Sequence, residues 1–527
     1  MRNRKQILAA LLIGVLSSFM IWGTIGNVPA TVHAAELESD AEDEIISAGV
    51  FTDVDPGQYY YRPVYWALEN DITAGTTPTT FSPGDNCTRA QTVSFLWRMA
   101  GEPEPENIQT NFADVPTNRF FSKAVAWAVE NGITSGKTPA TFDPYGICTR
   151  AEFVSFLYRA AGKPEVHNTN TSFTDVESVR YYARPVAWAV ENGVTAGTTP
   201  TTFSPDNICR RGQVVSFLYR WRTTINVQEY GATPNDNTDD TDAINAALIR
   251  ASEDANVETV YIPSGTYVVN AEPGIKVWSN TNLTMASDTV LDVKGNSKEN
   301  YNVIRTRTAQ NVTISGGKIQ GERNKHNGSS GEWGMGIGLY DSSNVTISNV
   351  TITGNWGDGI YLGTTNETDE LYGCDNIRIE NCNIYENRRS NISIVDADNV
   401  TIDNCTISNA SGTAPQCGIN IEPNHDENGR IPEKSICRNI RITNTTINVL
   451  GKDDYYGQYF CFRTQRYGDR SIVTSDNILI DSCTFNGDSG NYSGTNMTIS
   501  NTVIRGTFYD MCNTTLNNVD YENIWRG

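Results

Sequence analysis

The chain has 527 residues, a net charge of −21 and only 4 histidines. That length allows more than one domain, and that charge excludes nucleic acid as a partner, because binding it needs a basic face. The few histidines, with no zinc-type ligand spacing and no phosphate-cradling glycine loop, leave zinc and nucleotide chemistry without a candidate.

In chain order, residues 1–34 are expected to be a signal peptide. Arg2, Arg4 and Lys5 precede an apolar run from Ile7 to Ile21, and Val32-His33-Ala34 offers small residues for cleavage. No other stretch is apolar enough to span a bilayer. The cleaved protein is therefore expected to be secreted and free of the membrane, or held at the surface by something other than lipid. Residues 35–49 form an acidic, solvated linker.

From Phe51 to Trp221 the sequence repeats every 61 residues: Asp53, Asp114, Asp175; Trp66, Trp127, Trp188; Gly75, Gly136, Gly197; Cys87, Cys148, Cys209. Each copy opens on Phe-x-Asp-Val, predicts a helix such as Arg62 to Asn70, turns at Ile-Thr-x-Gly and closes on a second helix such as Ala90 to Ala100. Thr88 to Gln91 and Thr149 to Glu152 fit a capping box. At Phe51-Thr52-Asp53-Val54, Ile72-Thr73-Ala74-Gly75, Thr88-Arg89-Ala90-Gln91 and Thr149-Arg150-Ala151-Glu152 the segment resembles S-layer homology domains, as three copies over 50–106, 111–166 and 172–222. The third copy departs from the pattern with Arg210-Arg211-Gly212-Gln213 and lacks the Thr cap. The resemblance implies non-covalent docking onto a secondary polymer of a Gram-positive cell wall. Carried over by position, Arg89, Arg150 and Arg211 would pair with anionic polymer groups through their forked guanidinium groups. The other reading is that each arginine merely decorates a helix N-terminus, where a cation is mildly unfavourable. The tryptophan column, mid-helix beside alanines, reads as core.

Residues 223–527 form the second unit. Its entry, Val227-Gln228-Glu229-Tyr230-Gly231-Ala232, leads through an Asp-rich run to an amphipathic helix from Ala243 to about Ser252 and on to Thr259-Val260-Tyr261-Ile262-Pro263. A solenoid end exposes an edge and an apolar plug, which such a helix covers. This entry looks like that of the pectate lyase superfamily, whose members include hydrolases, lyases, epimerases and tail spikes. The resemblance implies a fold and leaves the reaction open.

Beyond it, asparagines recur at an anchor column (Asn282, Asn311, Asn344, Asn376, Asn399, Asn439, Asn477, Asn496) and five residues later at a second (Asn349, Asn381, Asn404, Asn444, Asn501). Between them apolar residues alternate, as in Val345, Ile347, Val350 and Ile352, which is strand periodicity. Asparagine suits tight bends with left-handed backbone. Unequal spacing between anchors fits coils with insertions of different length. The fold class is therefore mainly β, a right-handed parallel β-helix behind an α-rich three-repeat module. The 11 cysteines are an odd number; Cys87, Cys148 and Cys209 share one repeat position and Cys382, Cys405 and Cys483 one solenoid column, so buried thiols are expected rather than a disulfide framework.

A further set of strands precedes the anchors: Gly336 to Tyr340, Gly359 to Gly363, Asn391 to Val395, Gly418 to Glu422 and Tyr459 to Arg463. Polar insertions at 364–375, 423–438 and 464–476 would wall a groove over their outward face. Aligned in this way, Glu422 and Arg463 share a column, and Asp396 lies about 6 Å from Glu422 by backbone spacing. Such carboxylates suit acid-assisted glycosidic cleavage. Arg463 could instead neutralise a uronate for proton abstraction by His425 or a carboxylate. A surface cross-strand ion pair is the competing reading of Glu422 and Arg463. At the other end of these strands Asp358 lies one coil before Arg389, near Tyr361, and by the same geometry about 16 Å from Glu422, too far to form a pair. Asp358-Gly359-Ile360 is similar to an element of polygalacturonase-like hydrolases, while their Asp-Asp-Cys, Gly-His-Gly and Arg-Ile-Lys elements are absent. Trp333 and Trp356, with Tyr456, occupy one column that reads as a sugar-stacking wall or as a loop cover; Asn420 faces the same groove. Arg430, Lys434, Arg438, Arg466 and Arg470 make the insertions locally basic and suited to an acidic polysaccharide. Calcium stays open through Asp369, Glu370 or Asp426, although no spacing demands it.

The expectation is a wall-anchored lyase or glycoside hydrolase acting on a uronate-containing glycan. The alternatives are a non-catalytic adhesin or glycan-binding scaffold and a uronate C5-epimerase. A homotrimer stays open.

Overall fold

Period-2 apolar columns and left-handed asparagines together build coils that stack in register. The computed structural model describes residues 51–527 except 168, 170, 366–372, 425–434, 450–458 and 466–472. The expected signal peptide and acidic linker lie outside the described residues, as do His425, Tyr456, Asp369, Glu370, Asp426, Arg430, Lys434, Arg466 and Arg470. Among the described residues no helix is long and apolar enough to cross a membrane.

Among the described residues the N-terminal part carries six helices: α1 (Tyr61–Glu69), α2 (Arg89–Met99), α3 (Ser122–Glu130), α4 (Arg150–Ala160), α5 (Ala183–Glu191) and α6 (Arg211–Thr223). The three repeats interlock about a pseudo-threefold axis. Cys87 N–H donates to Cys209 O, Cys148 N–H to Cys87 O and Cys209 N–H to Cys148 O, at 2.9 to 3.1 Å, closing a ring through all three copies. The repeated aspartates fasten the loops, since the Asp53 carboxylate accepts from the backbone N–H groups of Phe81 and Ser82 at 2.8 and 2.7 Å, and Asp114 and Asp175 do the same one repeat on. Gly75, Gly136 and Gly197 have φ of 85° to 88°, and a Cβ there would overlap the Phe ring and two carbonyls, which explains the glycine column. Thr88 and Thr149 form the expected capping boxes. At α6 Arg210 offers no acceptor, and only half a box remains, from Arg210 N–H to Gln213 Oε1.

Helix α6 runs directly into the first strand of the solenoid, Thr224–Asn226. Glu258 ties the two parts together, accepting from Arg62 Nε at 2.9 Å and from the Tyr219 hydroxyl. Helix α7 (Thr241–Glu253) buries Ile244, Ala247, Leu248 and Ala251 against the first coil, as the capping role requires.

All 29 described strands from Thr224 to Arg526 pair in parallel. One face is an 11-stranded sheet; the other two faces contribute 18 strands, joined where Val503–Asp510 pairs with strands of both faces. The protein is mainly β, a right-handed parallel β-helix. Aliphatic side chains stack along its interior, as in Ile347, Ile379, Ile402, Ile442, Ile480 and Ile499, each essentially inaccessible to water. Each contributes about 1.5–3 kcal/mol on burial.

The corners are asparagine ladders. Asn311, Asn344, Asn376, Asn399, Asn439, Asn477 and Asn496 all have φ between 51° and 57°. Their amides reach back to the coil before, as in Asn376 Nδ2 to Asn344 Oδ1 at 2.8 Å and Asn439 Nδ2 to Asp398 Oδ1 at 2.7 Å. The second column, Asn349, Asn381, Asn404, Asn444 and Asn501, is left-handed as well. One anchor needs correction: the bend on the first coil belongs to Asn280, which accepts from Asn311 Nδ2, whereas Asn282 sits within a strand opposite Thr313. An Asn376→Ala variant loses a ladder bond and places an ordinary Cβ in left-handed backbone. Chemical denaturation is expected to show a loss of about 1–3 kcal/mol, with Asn376→Gly costing less.

All 11 cysteines are unpaired, and 10 of them are buried. Burial pushes the Cys87 and Cys483 thiols up to about 11, which makes them unreactive core residues as expected.

Candidate functional site

In the helical part, each second-helix arginine enters the interior between two repeats. Arg89 Nε donates to Phe142 O, Arg150 Nε to Phe203 O and Arg211 Nε to Phe81 O, all at 2.9 Å. Each guanidinium lies 4.7 to 4.9 Å from the ring centroid of that same phenylalanine. None is a surface decoration, since all three are at most 5% exposed. Their charge compensation differs. Arg89 pairs with Glu152 at 2.9 Å, whereas the Arg150 Nη2 atom is buried without a hydrogen-bond partner. Burial lowers the pKa of Arg150 and Arg211. The compensating carboxylate comes from the Glu of the second copy, for which the first and third copies have Gln91 and Gln213.

In the solenoid, the strands Asn300–Arg307, Trp333–Tyr340, Ile360–Gly363, Ile392–Ile394, Cys417–Ile421 and Phe460–Thr464 stack in register on one face. Their outward side chains include Tyr340, Tyr361, Ser393 and Asn420. The expected pairing of Glu422 with Arg463 does not occur. Phe462, not Phe460, stacks on Ile419, so Arg463 lies opposite Asn420, two residues from the expected position. Arg463 Nε donates to Asn420 Oδ1 at 2.8 Å, and its Nη2 to Gln465 Oε1. Asp396, largely buried, accepts from Ser435 Oγ at 3.2 Å, while the carboxylate of Glu422 goes elsewhere.

That destination is Arg389. Its Nη1 pairs with Asp358 Oδ2 at 3.0 Å, its Nη2 with Glu422, and Glu332 stands 3.6 Å from its Nε. The last distance is too long for a hydrogen bond, and the Nε–H has none. Asp358 and Glu422, expected to be too far apart to act together, therefore share one guanidinium. The backbone separation was the wrong measure, because the arginine side chain runs along the outward face past Ser393, 3.4 Å from its Oγ, and closes the gap. Glu332 was not foreseen; its only signal is its place beside Trp333.

The three carboxylates differ in access. The side chain of Asp358 is 0% exposed, that of Glu422 15% and that of Glu332 35%. Asp358 also accepts from Ser390 N–H at 2.8 Å. Burial nevertheless wins over these partners and raises its pKa from 3.8 to about 6, with the Glu422 charge adding to the rise. Between those values the folded chain binds more protons than the unfolded one, so unfolding free energy falls as pH rises. About 3 kcal/mol is expected to be lost across this window. An Asp358→Asn variant, compared by denaturation across the same range, should lack this slope.

The aromatic wall divides. Trp333 is 48% exposed and available for stacking, whereas Trp356 is 8% exposed. The His326 ring stacks on Trp356 at 3.7 Å and the Arg388 guanidinium lies 3.8 Å from its centroid, so Trp356 cannot serve as a sugar platform. His326 is fixed in turn by Glu322, which also accepts from the Tyr301 hydroxyl. Tyr361 leans on Tyr340 at 5.6 Å. Among the described residues no cluster of His, Cys, Asp and Glu fits a metal ion.

Two family models match the chain. The S-layer homology domain matches residues 50–93, 111–154 and 172–215, and the right handed beta helix region matches residues 246–431. The chain therefore carries three S-layer homology domains followed by a β-helix region. Uncharacterized protein YclG of Bacillus subtilis (strain 168) is 32% identical over 270 residues, 47% of this chain and 46% of that protein. An S-layer protein of Bacillus thuringiensis subsp. finitimus is 23% identical over 195 residues, 36% of this chain and 24% of that protein. The chain thus matches less than half the length of these relatives. Among solved structures, the Streptococcus pneumoniae surface protein and adhesin PfbA aligns with a TM-score of 0.40 at 16% identity, over 58% of this chain and 99% of that one.

Proposed function

We propose that this protein is a cell-surface glycoside hydrolase acting on an acidic polysaccharide, with Glu332 and Glu422 as the working carboxylates. The S-layer homology domains indicate a cell-wall location; Arg89, Arg150 and Arg211 are the candidate polymer residues by position in the repeat, and their burial between the repeats makes them supports of that site rather than its exposed surface. The observation that carries the catalytic reading is one buried guanidinium ringed by three carboxylates, two of which reach solvent. Glu422 pairs with Nη2 of Arg389 and Glu332 stands 3.6 Å from its Nε, so two solvent-reaching carboxylates flank one cation, and a pair of carboxylates is what acid-assisted glycosidic cleavage uses. Asp358 and Arg389 are then positioning residues.

The same geometry disfavours elimination and epimerisation. Both need a cation with charge left over to neutralise a uronate, and Arg389 is already outnumbered by its carboxylates. One observation favours the scaffold reading instead, namely that Asp358, Asp396 and Arg463 are all largely buried.

Incubation with a panel of polyuronates and other acidic glycans separates these readings. New reducing ends without an unsaturated, ultraviolet-absorbing product support hydrolysis. Both signals together mean elimination, and retention on glycan with neither signal means a scaffold.

A further inference from the structure

The N-terminal coils of the outward face carry two cations away from the cluster, Lys276 and Arg305. Lys276 stacks directly on Arg305 in the parallel register, about 4.8 Å away. Two residues further along the chain from each are Trp278, 44% exposed, and Arg307, also exposed. Stacked like charges destabilise a sheet, and among the described residues neither Lys276 nor Arg305 forms an ion pair, in a chain of charge −21. This contrasts with Arg389, whose charge is consumed by Asp358, Glu332 and Glu422. Tyr340 follows on the next coil in the column of Arg307, and Tyr361 one coil later in the column of Arg305.

From this arrangement we infer that Lys276 and Arg305, with Trp278 and Tyr340, form a binding track for an anionic glycan, leading along the solenoid towards the Arg389 cluster. The cations meet carboxylate or sulfate groups on successive sugars, and the aromatic rings take the sugar faces. This inference rests on the polysaccharide reading above and adds to it the residues that bind the chain and its direction along the solenoid.

The test is affinity electrophoresis of the full chain in gels containing polygalacturonate, dextran sulfate or neutral dextran, with a Lys276→Gln/Arg305→Gln variant beside the unaltered protein. The expected result is retardation by an anionic glycan only, weakened ~10- to 100-fold in the variant, as loss of charge-assisted contacts implies. Thermal stability should be unchanged or higher, because an unbalanced pair has been removed. Retardation by polygalacturonate assigns carboxylate, and by dextran sulfate alone, sulfate. Equal binding by variant and unaltered protein overturns the track. Cleavage of a glycan with unchanged anionic binding would sink the track and leave the hydrolase standing; charge-dependent binding without cleavage would do the reverse.

Discussion

A Glu422→Gln variant is expected to lose cleavage by roughly 10²- to 10⁴-fold in kcat, the usual contribution of a positioned acid or base. KM should change little. Glutamine keeps an oxygen for the Arg389 Nη2 donor, so the fold and the neighbouring strands remain intact while the proton chemistry is removed. Glu332→Gln should behave alike, since it is the more exposed partner on the same guanidinium. The double variant should lose little more than either single one, because residues acting as a unit are not additive. Reducing-end kinetics on all three variants decide the assignment. Full activity in both single variants would remove these carboxylates from the reaction.

An Arg389→Met variant is expected to cost stability rather than only activity. It leaves Asp358 buried opposite Glu422 with no cation between them, and breaking a buried pair from one side costs about 3–5 kcal/mol. The loss should be largest above neutral pH and shrink as pH falls towards about 6, because without Arg389 the Asp358 carboxyl holds its proton to higher pH and below about 6 it is protonated in both proteins. Arg389→Lys should not rescue it, because a point charge cannot hold carboxylates on separate nitrogens. Chemical denaturation on either side of that pH reads both effects. A cost independent of pH would mean that packing of the arginine stem, not charge balance, dominates.

Much of the architecture was legible because it depends on local chemistry. Left-handed bends select asparagine, so Asn344, Asn376 and their equivalents mark the corners. Period-2 columns then give the inward faces, and the 61-residue period gives the interlocked helices. The two misplacements share a physical origin. A one-residue slip flips every side chain to the wrong face and is visible in the pattern. A two-residue slip preserves the alternation and is not. Asn282 was read in place of Asn280, and Phe460 in place of Phe462, for this reason. The second slip carried Arg463 onto Glu422. The site itself was half legible. Asp358 beside Arg389 followed from coil geometry, and Glu422 from its place on the outward face. Their union through Arg389 did not follow, because it depends on a long side chain lying along the sheet rather than pointing away from it. Of the two readings of Trp356, the cover holds, and the sequence leaves the choice open because His326 and Arg388, which pack on it, come from another coil and from a loop with no repeat of its own.

The most direct test of the account is cleavage in heavy-oxygen water, followed by mass spectrometry of the fragments. Hydrolysis at the Glu332 and Glu422 carboxylates predicts one heavy oxygen at each newly formed reducing end, with labelled fragments formed correspondingly more slowly by a Glu422→Gln variant. Fragments carrying a double bond and no heavy oxygen would contradict it and move the chemistry to elimination.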